Sequence, residues 1–172
     1  MKITGFSNFN ISGLCKVEFT LAKNVQDISS PDENHEVIVS LKSGAEFIEL
    51  YFTKKADDCV INQKSDDSGE YYEAKIKLIN PKLEASKAAT FKSYEQKDII
   101  VIMFDNNDNK ILIGSPDMPA RMQYKLSIPG AGRNQRSINI DALHDQEPYF
   151  VTTEAVIIGG GFSSGFSSGF RI

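Results

Sequence analysis

The chain has 172 residues, 41% of them hydrophobic and 24% charged, and a formal net charge of −4 at pH 7. This composition suits one soluble domain with a packed core. The acidity argues against a protein that grips nucleic acid, because neutralising phosphates requires a basic surface. No apolar run approaches the roughly 18 to 20 residues of a membrane span, and the first residues lack the apolar region of a secretory signal. We therefore expect a protein of the cytoplasm, or of an assembly built there.

Strand patterns dominate the first 80 residues. Alternation over residues 14–22 predicts a strand that buries Cys15, Val17, Phe19 and Leu21. Cys15 lies far from Cys59, so we expect two core thiols rather than a disulfide. A polar loop is predicted at 27–35. Further strands are predicted at 36–41, 46–52, 57–64 and 71–79, with residues 42–44 as a hairpin connection between the first two.

One helix is predicted next, at about 81–96. Asn80 and Pro81 have the N-cap and first-turn arrangement, and apolar residues then recur at roughly helical spacing up to Tyr94. The apolar stripe is modest. We therefore expect the helix to lie against one face or edge of a sheet, with its lysine side in water.

A β-hairpin is predicted over residues 98–114, DIIVIMFDNNDNKILIG. Its first strand, 99–104, is almost continuously apolar, which indicates a central strand covered on both faces. The Asp and Asn residues of the connector tolerate left-handed backbone and hydrogen-bond their own main chain.

Two more strands follow the hairpin. Residues 121–128 alternate, which predicts Met122, Tyr124, Leu126 and Ile128 facing inward, and a shorter strand is predicted at 137–140 after a loop at 130–134. The pattern predicts a mainly β (α+β) fold: an antiparallel β-sandwich or barrel with one flanking helix and extended terminal arms. One domain is expected over residues 1–158.

Residues 159–172 form a separate segment, GGGFSSGFSSGFRI. Its Gly and Ser content is typical of a flexible tail. Three rings, Phe162, Phe166 and Phe170, complicate that interpretation, because leaving each in water is unfavourable by about 2 to 3 kcal/mol relative to burial. The two alternatives are an arm that docks on a neighbouring subunit and a disordered tail.

No catalytic, cofactor or metal residue is predicted. Asp105, Asn107 and Asn109 resemble the start of a calcium loop, but the required Gly and Glu positions hold Lys110 and Pro116. His35 and His144 lack the spacing of a zinc pair and are expected to be exposed. No acid, base and nucleophile converge in a recognisable motif, so we expect no enzyme.

Two arginines near the predicted loop at 130–134 are candidates for a subunit interface. Arg133 and Arg136 are available to pair with carboxylates of another subunit. The alternative is a pair of solvated loop arginines, since exposed ion pairs contribute little.

The region from Tyr71 to Phe150 resembles small virion proteins of phages and prophages of Bacteroidota. The phrases that carry the resemblance are INPKLEASKAATFKSYEQKDIIVIMFDNNDNKILIGSPDMPARMQYKLS, GAGRNQRSINI and QEPYF. The resemblance covers a little under half of the chain and leaves its first 70 residues and its last segment unexplained. It implies a structural subunit near the phage tail or neck, such as a tail-tube subunit that stacks in hexameric rings.

The sequence thus predicts a non-enzymatic virion protein, assembled in the host cytoplasm, whose partners are copies of itself and other tail or neck proteins. DNA is expected only as passing cargo, which an acidic lumen would repel. A head-to-tail connector is the first alternative. The second is a carbohydrate-binding or other ligand-binding β-sandwich, with Tyr51, Tyr71, Tyr72 and Tyr149 as candidate contacts and no Trp in the chain.

Overall fold

The computed structural model describes residues 13–53, 58–67, 69–81, 83–131 and 134–158, with the side chains of 85–87 and 153–158 left aside. Both predicted terminal arms lie outside these ranges. The described chain is mainly β, with one α-helix and one short 3₁₀ turn at Ala22–Asn24. The elements are β1 Leu14–Leu21, β2 Val25–Ile28, β3 Glu36–Leu41, β4 Ile48–Glu49, β5 Asp58–Asp66, β6 Gly69–Pro81, α1 Ala85–Tyr94, β7 Asp98–Asp105, β8 Lys110–Ile113, β9 Ala120–Ser127, β10 Gln135–His144 and β11 Phe150–Ile158.

The strands form one mixed sheet that divides at β7. Its order is β2-β3-β11-β8-β7-β9-β10-β6-β5, and β1 covers the other edge of β7 while β4 pairs with β1. Along the shared edge, β8 pairs with the second half of β7 and β9 with its first two residues. The described pairings are antiparallel, except that β11 runs parallel to β3. The predicted mainly β fold with a flanking helix is therefore confirmed.

The apolar run of β7 faces two separate cores. Ile99, Val101 and Met103 belong to the core formed with β1, β6, β9, β10 and α1. Ile100 and Ile102 belong to the core formed with β2, β3, β8 and β11. All five side chains are at most 2% exposed, as expected where successive side chains of a strand point to opposite faces. The prediction of a central strand covered on both faces is confirmed.

Helix α1 begins later than the sequence pattern predicts. Pro81 is the last residue of β6 and lies opposite Gln135 of β10, so it does not start the helix. A strand end tolerates proline because no further ladder hydrogen bond is required there. The helix covers the first core: the Phe91 side chain is buried, and the Tyr94 ring meets Phe19 edge-on at 4.9 Å between centroids.

Residues 42–44 do not form the predicted hairpin connection. They follow β3, but β4 pairs with β1, with Phe19 opposite Ile48, while β3 pairs with β2 and β11. The chain therefore leaves one core after β3 and enters the other. A tight connection is compatible with either arrangement, so local sequence did not distinguish them.

The end of β9 also departs from the predicted alternation. Met122 is buried, but Leu126 is 49% and Ile128 is 72% exposed. Leu126 lies opposite Arg136 of β10, one residue before the end of β9. Strand β10 is longer than the predicted segment at 137–140, and it pairs with both β6 and β9.

Two remaining expectations concern thiols and membranes. Cys15 and Cys59 are separate, partly buried thiols, in agreement with the prediction. No helix in the described part of the chain is long and apolar enough to cross a bilayer.

Candidate assembly surface and buried arginine site

Arg136 is a strand residue of β10 rather than a loop residue. Its side chain is 1% exposed, so the alternative of a solvated loop arginine is wrong for this residue. It is one of three buried polar or charged residues among those described, with Thr20 and Asn80. Full burial of an arginine is uncommon unless the charge is compensated.

Two aromatic rings surround the Arg136 guanidinium. Its central carbon lies 4.2 Å from the ring centroid of Phe91 and 5.3 Å from that of Tyr124. Helix α1 supplies Phe91, and β9 supplies Tyr124. The faces of aromatic rings attract cations, by about 2 kcal/mol when both groups are desolvated. The rings therefore stabilise the charge but supply no hydrogen-bond acceptor in the plane of the guanidinium.

Hydrogen-bonding capacity remains unused at this site. The Nε and Nη1 groups of Arg136 and the Oδ1 atom of Asn80 are buried and lack partners. These two residues lie directly opposite each other in the β6–β10 ladder. The Nδ2 group of Asn80 donates to the Tyr51 carbonyl at 2.7 Å, which fixes the orientation of the amide. Leaving a buried charge without a partner costs several kcal/mol.

A cavity of about 130 Å³ lies beside Asn80, and Arg136 is not among its lining residues. Asn80 and Phe91 line it, and the same two residues contact Arg136 from the opposite strand and from the helix. Its other walls are mainly apolar, with Glu49 among the polar exceptions. The remaining lining residues are Phe19, Ile48, Leu50, Tyr51, Thr90 and Tyr94.

The second candidate region is the edge strand β5. Among the described strands, β5 pairs only with β6, so the main-chain groups along its outer edge have no strand partner there. Cys59 and Ile61 pack against the first core, while Val60 is 40% exposed on the other face. A nine-residue exposed edge is a template for pairing with another chain.

The tip of the β5–β6 hairpin extends beyond the rest of the sheet. Strand β10 pairs with β6 only as far as Tyr72, whereas β5 continues to the pair Asp66 and Gly69. Residues 62–66 are all exposed. Two-stranded ribbons are marginally stable in water, so a projecting ribbon gains most from packing on a neighbour.

The two carboxylate oxygens of Asp105 accept hydrogen bonds from residues of the same turn. Oδ1 of Asp105 accepts the main-chain N–H groups of Asn107 at 2.7 Å and Asn109 at 2.8 Å. Oδ2 accepts from both Asn side chains, at 3.3 and 2.7 Å. Burial alone would raise the pKa of this carboxyl, but the hydrogen bonds outweigh it and lower the pKa. No cluster of three or more potential metal ligands occurs among the residues that the structure describes.

The two histidines differ in their surroundings. His144 is partly buried, contrary to the expectation of exposure, and its Nε2 atom accepts the Gly114 N–H at 3.3 Å. Burial lowers its pKa, an effect that Asp145 partly opposes. His35 also is only partly exposed, with its ring 4.5 Å from that of Tyr149.

Cys59 is a poor nucleophile. Burial, followed by the nearby Asp58 carboxylate, raises the pKa of its thiol to about 11. A thiol with this pKa is almost entirely protonated at neutral pH.

Of the residues predicted for a subunit interface, the structure describes Arg136 alone, and it buries this side chain within one chain. Arg136 joins Asn80, Phe91 and Tyr124 in one buried site, an arrangement that sequence reasoning missed. Arg133 and the three rings Phe162, Phe166 and Phe170 lie outside the described residues, so their predicted contacts with a neighbouring subunit stay predictions. The one available signal for the buried site was the position of Arg136 in a strand-like run, in register with apolar Ile138 and Ile140.

Comparison with known proteins returned no match: no family model, no curated protein and no solved structure matches this chain.

Proposed function

We propose that this protein is a non-enzymatic structural subunit that assembles with copies of itself, and that its assembly is the tail tube of a phage virion. The observation that carries self-assembly is the position of β5 at the edge of the sheet, where β6 is its one partner among the described strands, together with its projecting tip. The more specific assignment to a tail tube is supported by the sequence phrases between Tyr71 and Phe150 and by the acidic charge, which suits passage of DNA.

The edge of β5 supports pairing with a second copy in a simple way. Strand addition would satisfy its outer main-chain groups, and the exposed Val60 side chain would pack on the added strand. The adjoining face of β6 carries Glu73 and Lys75, whose side chains form an ion pair at 2.7 Å. A polar face beside an apolar edge residue is compatible with an interface whose rim remains in water.

The test changes the charge of the edge without disturbing the sheet. Asn62 of β5 and Leu143 of β10 both lie opposite Glu73, one on each side of β6. Asn62→Lys places a cation on the edge strand β5, whereas Leu143→Lys places the same cation on β10, on the other side of β6 and away from that edge. Each new lysine faces a carboxylate, so both variants should fold.

Assembly is measured by light scattering and negative-stain electron microscopy of the purified full chain. Wild type and Leu143→Lys are expected to form rings or tubes at high concentration, while Asn62→Lys shifts to smaller species. Rings that never stack would favour the connector alternative. A wild-type protein that stays monomeric at every concentration would refute self-assembly.

A further inference from the structure

The sheet ends in a terminal strand on each side, and the two strands differ in length. Strand β5 ends the sheet on one side, and β2, whose neighbour among the described strands is β3, ends it on the other. Strand β2 has four residues and a bulge between Val25 and Asp27. A short, bulged edge is a poor template for pairing by itself, so a partner that selects β2 needs a further contact beside it.

A cleft of about 490 Å³ lies at the start of β2. Three exposed lysines line it, Lys23, Lys42 and Lys97, and we call this group the basic cleft. Its described lining includes one carboxylate, Asp98, which the Arg121 Nε group engages at 3.2 Å. The basic cleft therefore presents a net positive charge on a chain whose formal net charge is −4.

Hydrogen bonds within the chain fix the wall of the basic cleft. The main-chain N–H group of Lys42 donates to the Asn24 carbonyl at 2.9 Å, and its Nζ group donates to the Lys23 carbonyl at 2.6 Å. These bonds join the loop after β3 to the 3₁₀ turn before β2. Leu21 and Pro116 add apolar surface to the lining.

The tip of the β5–β6 hairpin carries the opposite charge. Three exposed carboxylates, Asp66, Asp67 and Glu70, form what we call the acidic tip. Glu70 Oε2 accepts the Gln63 side-chain amide at 3.2 Å within the hairpin, and Lys64 is the nearest lysine along the chain. A projecting ribbon of negative charge is attracted to a basic cleft on a partner, and this complementarity selects the partner surface.

The acidic tip is too far away to enter the basic cleft of its own chain. Asp98 at the cleft begins β7, and strands β9, β10 and β6 lie between β7 and β5 in the sheet. Neighbouring strands are about 4.8 Å apart, so these four steps amount to roughly 19 Å. The hairpin extends along its strands rather than across the sheet. A cleft that receives the tip therefore belongs to a second copy of the chain.

Strand direction brings the two charged groups together when β5 pairs antiparallel with β2 of a neighbour. Strand β5 runs towards the acidic tip and ends at Asp66, whereas β2 starts at the basic cleft with Val25. In an antiparallel pair the end of one strand lies opposite the start of the other. A parallel pair would place the acidic tip at the far end of β2, beside Ile28.

We infer that β5 of one copy pairs antiparallel with β2 of the next copy, and that its acidic tip lies in the basic cleft of that copy. The inference rests on the proposed self-assembly and names the two surfaces that meet. Such a contact is head-to-tail, because each copy contributes a different surface. Repeated head-to-tail contacts generate a ring when the rotation between copies closes.

Zero-length cross-linking tests the contact in the unmodified full chain. A carbodiimide joins a carboxylate to an amine only where the two groups touch. Unlabelled and nitrogen-15-labelled chains are mixed, assembled, cross-linked and digested for mass spectrometry. Peptides that join the acidic tip to the basic cleft are expected to contain one labelled and one unlabelled part. Tip peptides that are cross-linked only to other sites would overturn the inference.

Charge reversal tests the same contact by its energy. The tip variant carries Asp66→Lys and Asp67→Lys, and the cleft variant carries Lys23→Glu and Lys97→Glu. Lys42 is kept because its Nζ group holds the Lys23 carbonyl. Each variant alone brings like charges together, so the protein concentration at half-assembly, measured by light scattering, should rise about tenfold or more.

An equimolar mixture of the tip and cleft variants is the decisive sample. Lysine tips then meet glutamate clefts, and the unchanged tips of one variant meet the unchanged clefts of the other. Alternating copies satisfy every contact, so the mixture should assemble near the wild-type concentration. A mixture that assembles no better than its components would refute the inference. The cross-linking of wild type decides the question if either variant fails to fold.

Matched controls reverse the same number of charges elsewhere. Glu33→Lys with Glu147→Lys changes two exposed carboxylates outside the acidic tip, and Lys92→Glu with Lys125→Glu changes two exposed lysines outside the basic cleft. Both controls should assemble like wild type at the same ionic strength. If they lose assembly as strongly as the tip and cleft variants, total charge explains the effect and the inference is wrong.

Failure of this inference is distinguishable from failure of the proposed function. If wild type assembles and the tip and cleft variants assemble equally well, self-assembly stands and this contact is refuted. Loss of assembly in the tip variant with none in the cleft variant would indicate a contact between two β5 strands, and it also refutes the inference. A wild-type chain that stays monomeric refutes both proposals.

Discussion

Asp32 and Asp105 cap two separate turns with the same hydrogen-bond pattern. Each carboxylate Oδ1 accepts the main-chain N–H groups two and four residues later: Asn34 and Glu36 at 2.9 and 2.8 Å in the first turn, and Asn107 and Asn109 at 2.7 and 2.8 Å in the second. The third residue after each aspartate, His35 or Asp108, has a positive φ of 64° or 65°. One local solution therefore closes the loop before β3 and the hairpin between β7 and β8.

The first prediction concerns the Asp105 carboxylate. Asp105→Ala should lower the free energy of unfolding by about 2 kcal/mol, because several main-chain and side-chain donors lose their acceptor. Asp105→Asn should lower the free energy of unfolding by less, since one acceptor oxygen remains. Urea unfolding measures both, with Asp117→Ala in an exposed loop as the control. An alanine variant as stable as this control would show that the turn does not need its cap.

The second prediction follows from the lowered pKa values of these carboxyls. Main-chain hydrogen bonds lower the pKa of Asp32, and side-chain and main-chain hydrogen bonds lower that of Asp105. Since the folded protein then holds its protons less tightly than the unfolded chain, the stabilisation is present above the ordinary value of 3.8 and is lost as the pH falls through the lower folded values. Urea midpoints measured across the acid range should fall less steeply in the double variant Asp32→Asn, Asp105→Asn. Identical slopes in both proteins would contradict this assignment.

The third prediction concerns His144 and milder acid. Burial lowers the pKa of His144 below its ordinary value of 6.5, and its Nε2 atom accepts the Gly114 N–H only when unprotonated. The contribution of neutral His144 to the stability of the fold is therefore complete above pH 6.5. It declines as the pH falls toward the lowered pKa of His144 in the folded protein. His144→Gln should flatten the stability profile in this window, and Asp145→Asn should lower the His144 pKa further in an NMR titration. A His144 ring that titrates above 6.5 would exclude the proposed cause.

The fourth prediction compares two glycines with similar backbone angles. Gly114 and Gly44 have φ values of 85° and 78°. A Cβ on Gly114 would lie 2.8 Å from the Ala120 nitrogen and 3.1 Å from the Ile99 oxygen, both main-chain atoms, whereas a Cβ on Gly44 would meet nothing within 4 Å. Gly44→Ala should lower the free energy of unfolding by about 1 kcal/mol, because alanine is strained at this backbone conformation. Gly114→Ala should cost about 3 kcal/mol, because the strand contact must also open. Thermal unfolding of both variants provides the measurement, and equal losses would show that the close approach is not restrictive.

The fifth prediction concerns residues 159–172. If Phe162, Phe166 and Phe170 dock on a neighbouring subunit, removing this segment should weaken assembly while leaving the unfolding transition of the monomer unchanged. Replacing the three rings by serine in the full-length chain is the matched control for segment length. Assembly that is unaffected by either change would favour the disordered tail.

Local sequence patterns predicted the elements whose conformation depends mainly on neighbouring residues in the chain. The β7–β8 hairpin was predictable because an apolar run and a turn of Asp and Asn residues specify it without help from distant strands. Alternation likewise located β1 and β6, including the buried face of Ala74, Ile76 and Leu78.

Long-range pairing decided the cases that the sequence left open. Asn80 and Pro81 have the residue types of a helix start, but β10 pairs with them and extends β6 instead. Arg136 follows a glycine-rich segment, yet α1 and β9 place two rings against it and bury it. No local pattern encodes which helix covers which strand, so the buried site became visible only in three dimensions.

The position of β7 between two cores also has a consequence for cooperativity. A strand whose alternate side chains are anchored in opposite directions cannot detach from one core and remain in place for the other. Loosening of Ile100 and Ile102 on one side would withdraw the support of Val101 on the other. The described part of the chain should therefore unfold in a single transition, and native-state hydrogen exchange should report the same opening free energy for amides of β3 and β10, although these strands line different cores.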